Sequence, residues 1–326
     1  MLKGMVATAS GLLLPSCVQA SLTRDDEDRF GWYSDPKSLE DFIRRHEHPF
    51  ISQQDREIKG TGEGKVVSLH LALERVTGRK LVPLDQGPAD CVSMAYGRGV
   101  DVLTAVQIVI QRQAQRWAGW CATEPIYGGS RVEIGGTSSG KGSTGHWGAE
   151  WLVRYGVLLR QKYPGGFDFT IYDAQKGVEY GRTGCPDALE PITKLHPVKK
   201  VAICRSFAEL RDCLANGSPV IVCSNIGFGD GQCKRDKDGF LTRKRRPWRH
   251  SMLFAAYDDA FKRPGALCFN SWGSDWIVGP TRGDQADGTF WIDADTVDVM
   301  LRQGDSFAIS AYVGYPRLSI PPYILR

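Results

Sequence analysis

The chain has 326 residues, of which 42% are hydrophobic and 10% aromatic, enough apolar material to bury a large core, and this excludes a disordered protein. Its formal charge of +4, from 41 basic and 37 acidic side chains, excludes a bulk electrostatic drive towards nucleic acid or membrane, so charge has to be read locally.

Residues 1–20, MLKGMVATASGLLLPSCVQA, carry one early lysine, an apolar centre and small residues after it, which is the layout of an export signal. Leu14-Pro15-Ser16-Cys17 resembles a lipoprotein cleavage box, so export or lipid anchoring through Cys17 stands beside an uncleaved tail as an open alternative. No other segment reaches the roughly 20 apolar residues that a bilayer span requires. Any membrane contact is therefore expected through Cys17 alone. Residues 21–65 are polar and charged, with one modest helical pattern near SLEDFIRRH, and are expected to form an N-terminal extension or wrapping arm.

The main domain is expected over residues 66–326, with a helical half over 66–165 and a mainly β half over 166–326. SLHLALERVTG closes a short helix before the turn at Val82-Pro83. From Cys91 to about Gln113 the spacing predicts a long buried helix with Val100, Leu103, Val106 and Ile110 on one face. Gly97 and Gly99 each cost that helix about 1 kcal/mol, tolerable where a neighbour packs close. A glycine-rich loop follows, then a second amphipathic helix from about Trp147 through WGAEWLVRYGVLLR. Ser206 and Glu209 have capping-box spacing and open SFAELRDCLANG, which Gly217 stops. PVIVCSNI, HSMLFAAYDD, ALCFNSW, GTFWID and SFAISAYV then have the composition of antiparallel strands, giving an α+β chain.

Nine cysteines without CxxC spacing define no disulfide framework, although pairs among Cys185, Cys204, Cys213, Cys223, Cys233 and Cys268 stay open; the spacing also speaks against a zinc site. Cys91 is set apart by its place at a helix start, where the helix dipole favours a thiolate. Its base would be one of six histidines. His46 and His48 lie in the charged arm, His70 ahead of the core, His146 before the second helix and His196 in a proline-flanked loop. His250 opens the apolar strand SMLFAAY, and Asn270-Ser271-Trp272-Gly273 follows, where an asparagine oxygen can hold the imidazole and a tryptophan can shield that bond.

The order Gln86, Cys91, His250, Asn270 with the string NSWG resembles the papain-like cysteine peptidases over roughly residues 80–315. The flanking GSTGHWGAEWLVRYGVLLRQKYP and GTFWID are similar to the second helix and closing strands of that family. The resemblance implies a two-part fold with a cleft, and peptide hydrolysis through a thioester with no metal or organic cofactor. It implies Cys91 as nucleophile, His250 as acid and base, Asn270 as orienter and Gln86 as oxyanion donor. Gly142, Ser143 and Trp272 would lie along the substrate. Three departures stand out. Gln86 precedes Cys91 by five positions where the family generally leaves six, Val92 replaces the usual tryptophan, and Asp90 puts a carboxylate beside the thiol unless it caps the helix. The arm is shorter than the family's inhibitory propeptide and lacks its long helical signature, which argues against zymogen control by that route.

Two other functions compete. A papain fold without efficient catalysis would serve as a binding or structural protein, of a virion or cell surface for example. A nucleotide hydrolase is suggested by Gly135-Gly136-Thr137-Ser138-Ser139-Gly140-Lys141-Gly142 after the strand-like RVEI, but Gly142 stands where magnesium binding needs a hydroxyl. Residues 233–250 carry eight basic and two acidic side chains, and if they rim the cleft they favour an acidic peptide or protein substrate, with Trp248 over the site. The run lacks interleaved aromatics for nucleic-acid stacking. Asp236-Lys237-Asp238-Gly239 has the composition of a hairpin turn and not of a calcium loop.

Overall fold

The computed structural model describes residues 29–53 and 59–312. The segment read as an export signal or lipid anchor, Cys17 included, lies outside the described residues. Numbering the longer elements in chain order, the strands are β1 (Val66–Ser68), β2 (Val198–Ile203), β3 (Val220–Ser224), β4 (His250–Asp258), β5 (Gly265–Phe269), β6 (Thr289–Asp293) and β7 (Phe307–Tyr312). The helices are α1 (Pro36–Arg45), α2 (His70–Thr77), α3 (Cys91–Val109), α4 (Glu124–Gly129), α5 (Gly145–Arg154), α6 (Ala174–Thr183), α7 (Phe207–Ala215) and α8 (Ala294–Leu301).

The strands form one seven-stranded sheet in the order β6-β5-β4-β3-β7-β2, with β1 added to β4, so the chain is α+β with an antiparallel sheet. All nine residues of β4 are buried, because α3 packs across β4 and β7. This contact fixes the geometry of the site. It lays a helix from early in the chain across strands from late in it. The two halves interleave, since β1 joins the late sheet while α6 packs against α4.

The glycines of α3 have separate partners. A Cβ on Gly97 would lie 2.6 Å from Thr123 Cγ2, and one on Gly99 would lie 3.1 Å from Ile221 and 3.2 Å from Ile309 of the sheet. Close packing thus offsets the helix-propensity cost. Several elements differ from expectation. The helix is buried nearly all round and stops at Val109, leaving Ile110 54% exposed and not on the core face. RVEI is no strand; Ser130–Ile134 form a π-helical turn before the glycine loop. The second helix starts at Gly145, capped by Thr144, and ends at Arg154, after which Leu158–Leu159 pairs with Cys121–Ala122 as a short strand. Strand β2 escaped the pattern reading, because Lys199 and Lys200 are exposed neighbours and interrupt its alternation. Among the described residues the eight cysteines are all free and buried, and no cluster suited to a metal ion occurs.

The tightest helix contact gives a stability test. A Cβ on Gly129 would lie 2.2 Å from the fully buried Trp151 ring. Gly129→Ala should lower unfolding stability by about 1–3 kcal/mol, read as a lower urea midpoint at unchanged slope. An unchanged midpoint would contradict this packing.

Candidate active site

Cys91 is the first residue of α3 and is fully buried. The five-position spacing from Gln86 is accommodated by backbone conformation, with Ala89 at φ 58°, in the left-handed region. That conformation costs an alanine about 1–2 kcal/mol. Asp90 makes no side-chain cap to the helix. Its Oδ2 instead accepts the Tyr172 hydroxyl at 2.5 Å, and burial raises its pKa to about 7. The capping alternative is therefore corrected: a tyrosine 82 positions away holds this carboxyl. Val92, where a tryptophan was the comparison, is buried, and a Cβ on Gly148 would come within 3.2 Å of it.

His250 and Asn270 meet at the ends of β4 and β5. His250 Nε2 lies 2.7 Å from Asn270 Oδ1, and the same oxygen accepts the Ser271 backbone N–H at 2.7 Å. Because an amide donor already identifies that atom as the oxygen, the imidazole must donate to it from Nε2. Its Nδ1 is then the lone-pair nitrogen, and it is buried with no hydrogen-bond partner among the described residues. Trp272 packs on the ring with centroids 4.6 Å apart and Trp248 stands edge-on at 6.4 Å, screening the His250–Asn270 bond from water. The next residue along the strand, Ser251, has a backbone amide that favours the Cys91 thiolate.

Gln86 is tied to the same loop. Its backbone N–H donates to Ser271 O at 2.8 Å, and its Oε1 accepts the Ser271 hydroxyl at 2.7 Å. Its Nε2 is thereby turned outward and donates to the backbone carbonyl of Arg29 at 2.9 Å. A side chain anchored in this way offers an N–H to a carbonyl oxygen entering from the N-terminal segment.

No family model matches the sequence, and no curated protein does. Solved structures do match in shape. Xylellain, a cysteine protease from Xylella fastidiosa, superposes with a TM-score of 0.59 at 18% identity, covering 89% of this chain and 98% of its own. ProCathepsin B S9 from Trypanosoma congolense gives 0.52 at 11% identity, covering 90% of this chain and 88% of its own. Procathepsin L 3 of the Tenebrio molitor larval midgut gives 0.50 at 13%, covering 86% and 94%. This chain has the papain-like fold.

Within that papain-like frame, the feature that sequence reasoning missed is the course of Phe30-Gly31-Trp32-Tyr33. These residues lie in the cleft. Phe30 stacks edge-on against His250 at 6.1 Å and Trp272 at 5.6 Å. The Gly31 amide favours the Cys91 thiolate, and a Cβ on Gly31 would lie 2.0 Å from Ala89 O. Gly31 O accepts Ser143 N–H at 2.7 Å, while Tyr33 N–H donates to Ser143 O at 3.2 Å, a parallel bridge centred on Trp32. Trp32 N–H donates to Arg249 O at 3.0 Å, and its indole donates to Asp305 Oδ2 at 2.7 Å. Gly142 packs behind, where a Cβ would meet Gly31 O at 2.2 Å. The arm thus reaches the site although it is shorter than the family's inhibitory propeptide and lacks its long helical signature. Its apolar run inside a charged segment was the signal available.

Other histidines are accounted for elsewhere. His146 Nδ1 lies 2.9 Å from Asp305 Oδ1, whose carboxylate also accepts the Gly145 and His146 backbone amides. Ser38 of α1 binds His146 Nε2 and the Trp147 indole, each at 2.9 Å, so this buried group fastens the arm. His70 Nε2 contacts Asp284 O, and His46 stacks on Phe42. The 233–250 run divides. Arg235 is buried against Thr289 O and Gly279 O, Asp236 Oδ1 closes the expected turn on Asp238 and Phe240, and the later arginines border the cleft.

Burial sets the charge state. It pushes the Cys91 thiol up to about 12, opposed by the Ser251 and Gly31 amides and reinforced by Asp90. It pushes His250 down to about 4, opposed by the Asn270 bond. The covered pair is therefore uncharged at neutral pH. A histidine whose folded pKa lies below its unfolded value stabilises the closed form above about pH 6.5 and loses that contribution as pH falls towards 4. Wild type should therefore lose up to about 3 kcal/mol more than His250→Gln over that window, measured by urea unfolding at several pH values. Parallel pH profiles would contradict the buried neutral ring.

The steric fit of Gly31 supplies a second test. In Gly31→Ala the new methyl cannot coexist with Ala89 O, so the arm must lift. A thiol-directed epoxide should then label Cys91 at least about tenfold faster than in wild type. An equal or slower rate, by mass spectrometry, would show that the arm does not cover the thiol.

Proposed function

We propose that this chain is a cysteine peptidase held closed by its own residues 29–33. Cys91 attacks the scissile carbonyl as a thiolate. His250 takes the thiol proton through Nδ1 and returns it to the departing amine, leaving a thioester that water hydrolyses with His250 again as base. Gln86 Nε2 and the Cys91 backbone N–H receive the oxyanion. Asn270 is a positioning residue that keeps His250 in the useful tautomer. Gly142, Ser143 and Trp272 border the bound peptide. The observation that carries this is the Nε2-to-Asn270 bond, which leaves a buried Nδ1 with no partner among the described residues, at the start of the strand on which α3 packs.

The polarity of the arm fits this function. The general acid must reach the leaving nitrogen, so the His250–Trp272 side is the leaving-group side and the Trp32–Tyr33 side receives the acyl part. A substrate runs from the acyl side to the leaving-group side. The arm runs the opposite way, from Phe30 to Tyr33, and so presents no correctly directed bond. A non-catalytic binding role is the second reading, favoured by the complete burial of Cys91.

The two readings separate in the Gly31→Ala background, with peptide hydrolysis measured by fluorescence. Cys91→Ala and His250→Ala should each lower kcat/KM by at least about a thousandfold. Asn270→Ala should lower kcat by about 10–100-fold with little change in KM. Cleavage indifferent to His250→Ala would end the peptidase reading.

A further inference from the structure

We infer that the cleft selects peptides carrying carboxylates on the acyl side of the scissile bond, a substrate class that rests on the peptidase reading above. Two hollows open beside Trp32 and Tyr33, the second extending along the arm to Gly31 and Phe30. Arg243, Arg249 and Arg302 line one, and Lys141, Arg246 and Arg249 line the other. Among the described residues no aspartate or glutamate lines either. Arg243, Arg249 and Arg302 are solvent-exposed, and Arg246 pairs with Asp230 at 3.2 Å.

The imbalance is local. The whole chain carries a formal +4, yet five cations converge on these two hollows. On the leaving-group side the corresponding hollow is mixed, with Arg29 facing Asp85 and Asp275 around Trp248 and Trp272. The cation-lined side is also where backbone pairing holds an extended chain, through Ser143 and Arg249 O. That pairing suits a peptide strand and offers no platform for stacking bases. A peptide with glutamate or aspartate there meets several guanidinium groups at once. Each exposed pair contributes modestly, but several acting together discriminate against a cation.

The test uses the full chain with Gly31→Ala and three fluorogenic peptides, identical except for Glu, Gln or Lys at the second and third positions before the scissile bond. The expected kcat/KM for Glu exceeds that for Lys by about tenfold or more at low salt, and the ratio falls towards one at about 0.5 M salt. Adding Arg243→Glu and Arg302→Glu together should reverse the order. A salt-independent ratio near one, or preference for Lys, overturns the acidic preference while leaving the peptidase intact. The same holds if Cys91 is labelled by the epoxide but none of the three peptides is cut. No cleavage and no labelling overturn the peptidase reading and this inference with it.

Discussion

The hydrogen bond from His250 Nε2 to Asn270 Oδ1 is the contact on which the organisation of the site depends. The Ser271 amide determines which end of the asparagine faces the ring, and the same loop holds Gln86 through Ser271. One short turn, Asn270-Ser271-Trp272, therefore orients an imidazole, a carboxamide and a shielding indole together. The packing of α3 across β4 then sets Cys91 beside the start of the same strand. None of these parts can move far without disturbing the others, because each polar group is buried and its alternative partners are few.

The arm uses the same surfaces. Its backbone pairs with Ser143 and Arg249, its Arg29 carbonyl takes the Gln86 amide, and its Phe30 covers the His250–Trp272 face. Burial of an uncharged thiol and imidazole is the electrostatic consequence of this covering. Water and a peptide in place of the arm would lessen the desolvation that separates their pKa values. The charged border of the cleft is unaffected by this exchange, so it can act on whatever replaces the arm.

Much of this was legible in the sequence, and the reasons are physical. Strands such as HSMLFAAYDD and GTFWID could be read because β-branched and aromatic runs between turn residues have little alternative. The long helix could be read from its apolar content, but its end could not, since Ile110 continues the pattern and yet is exposed. Of the residues that the order Gln86, Cys91, His250, Asn270 singled out, Cys91 opens a helix, His250 opens a strand beside Asn270, and Gln86 bonds to Ser271 next to Asn270. What escaped depends on distant pairing. Tyr172 holding Asp90, Asp305 gathering Trp32 and His146, and Gly31 against Ala89 each join positions far apart in the chain, and no local pattern announces them. The glycine loop around Lys141 imitated a phosphate site only in composition.

The central claim is that Asn270 holds His250 as a neutral base with its proton on Nε2 and its lone pair on Nδ1. Nitrogen NMR of the imidazole in the full chain at neutral pH measures this directly. The account predicts one protonated nitrogen, assigned to Nε2, and one unprotonated nitrogen, with the pattern reversed or averaged in Asn270→Ala. A ring protonated on both nitrogens, or carrying its proton on Nδ1, would contradict it.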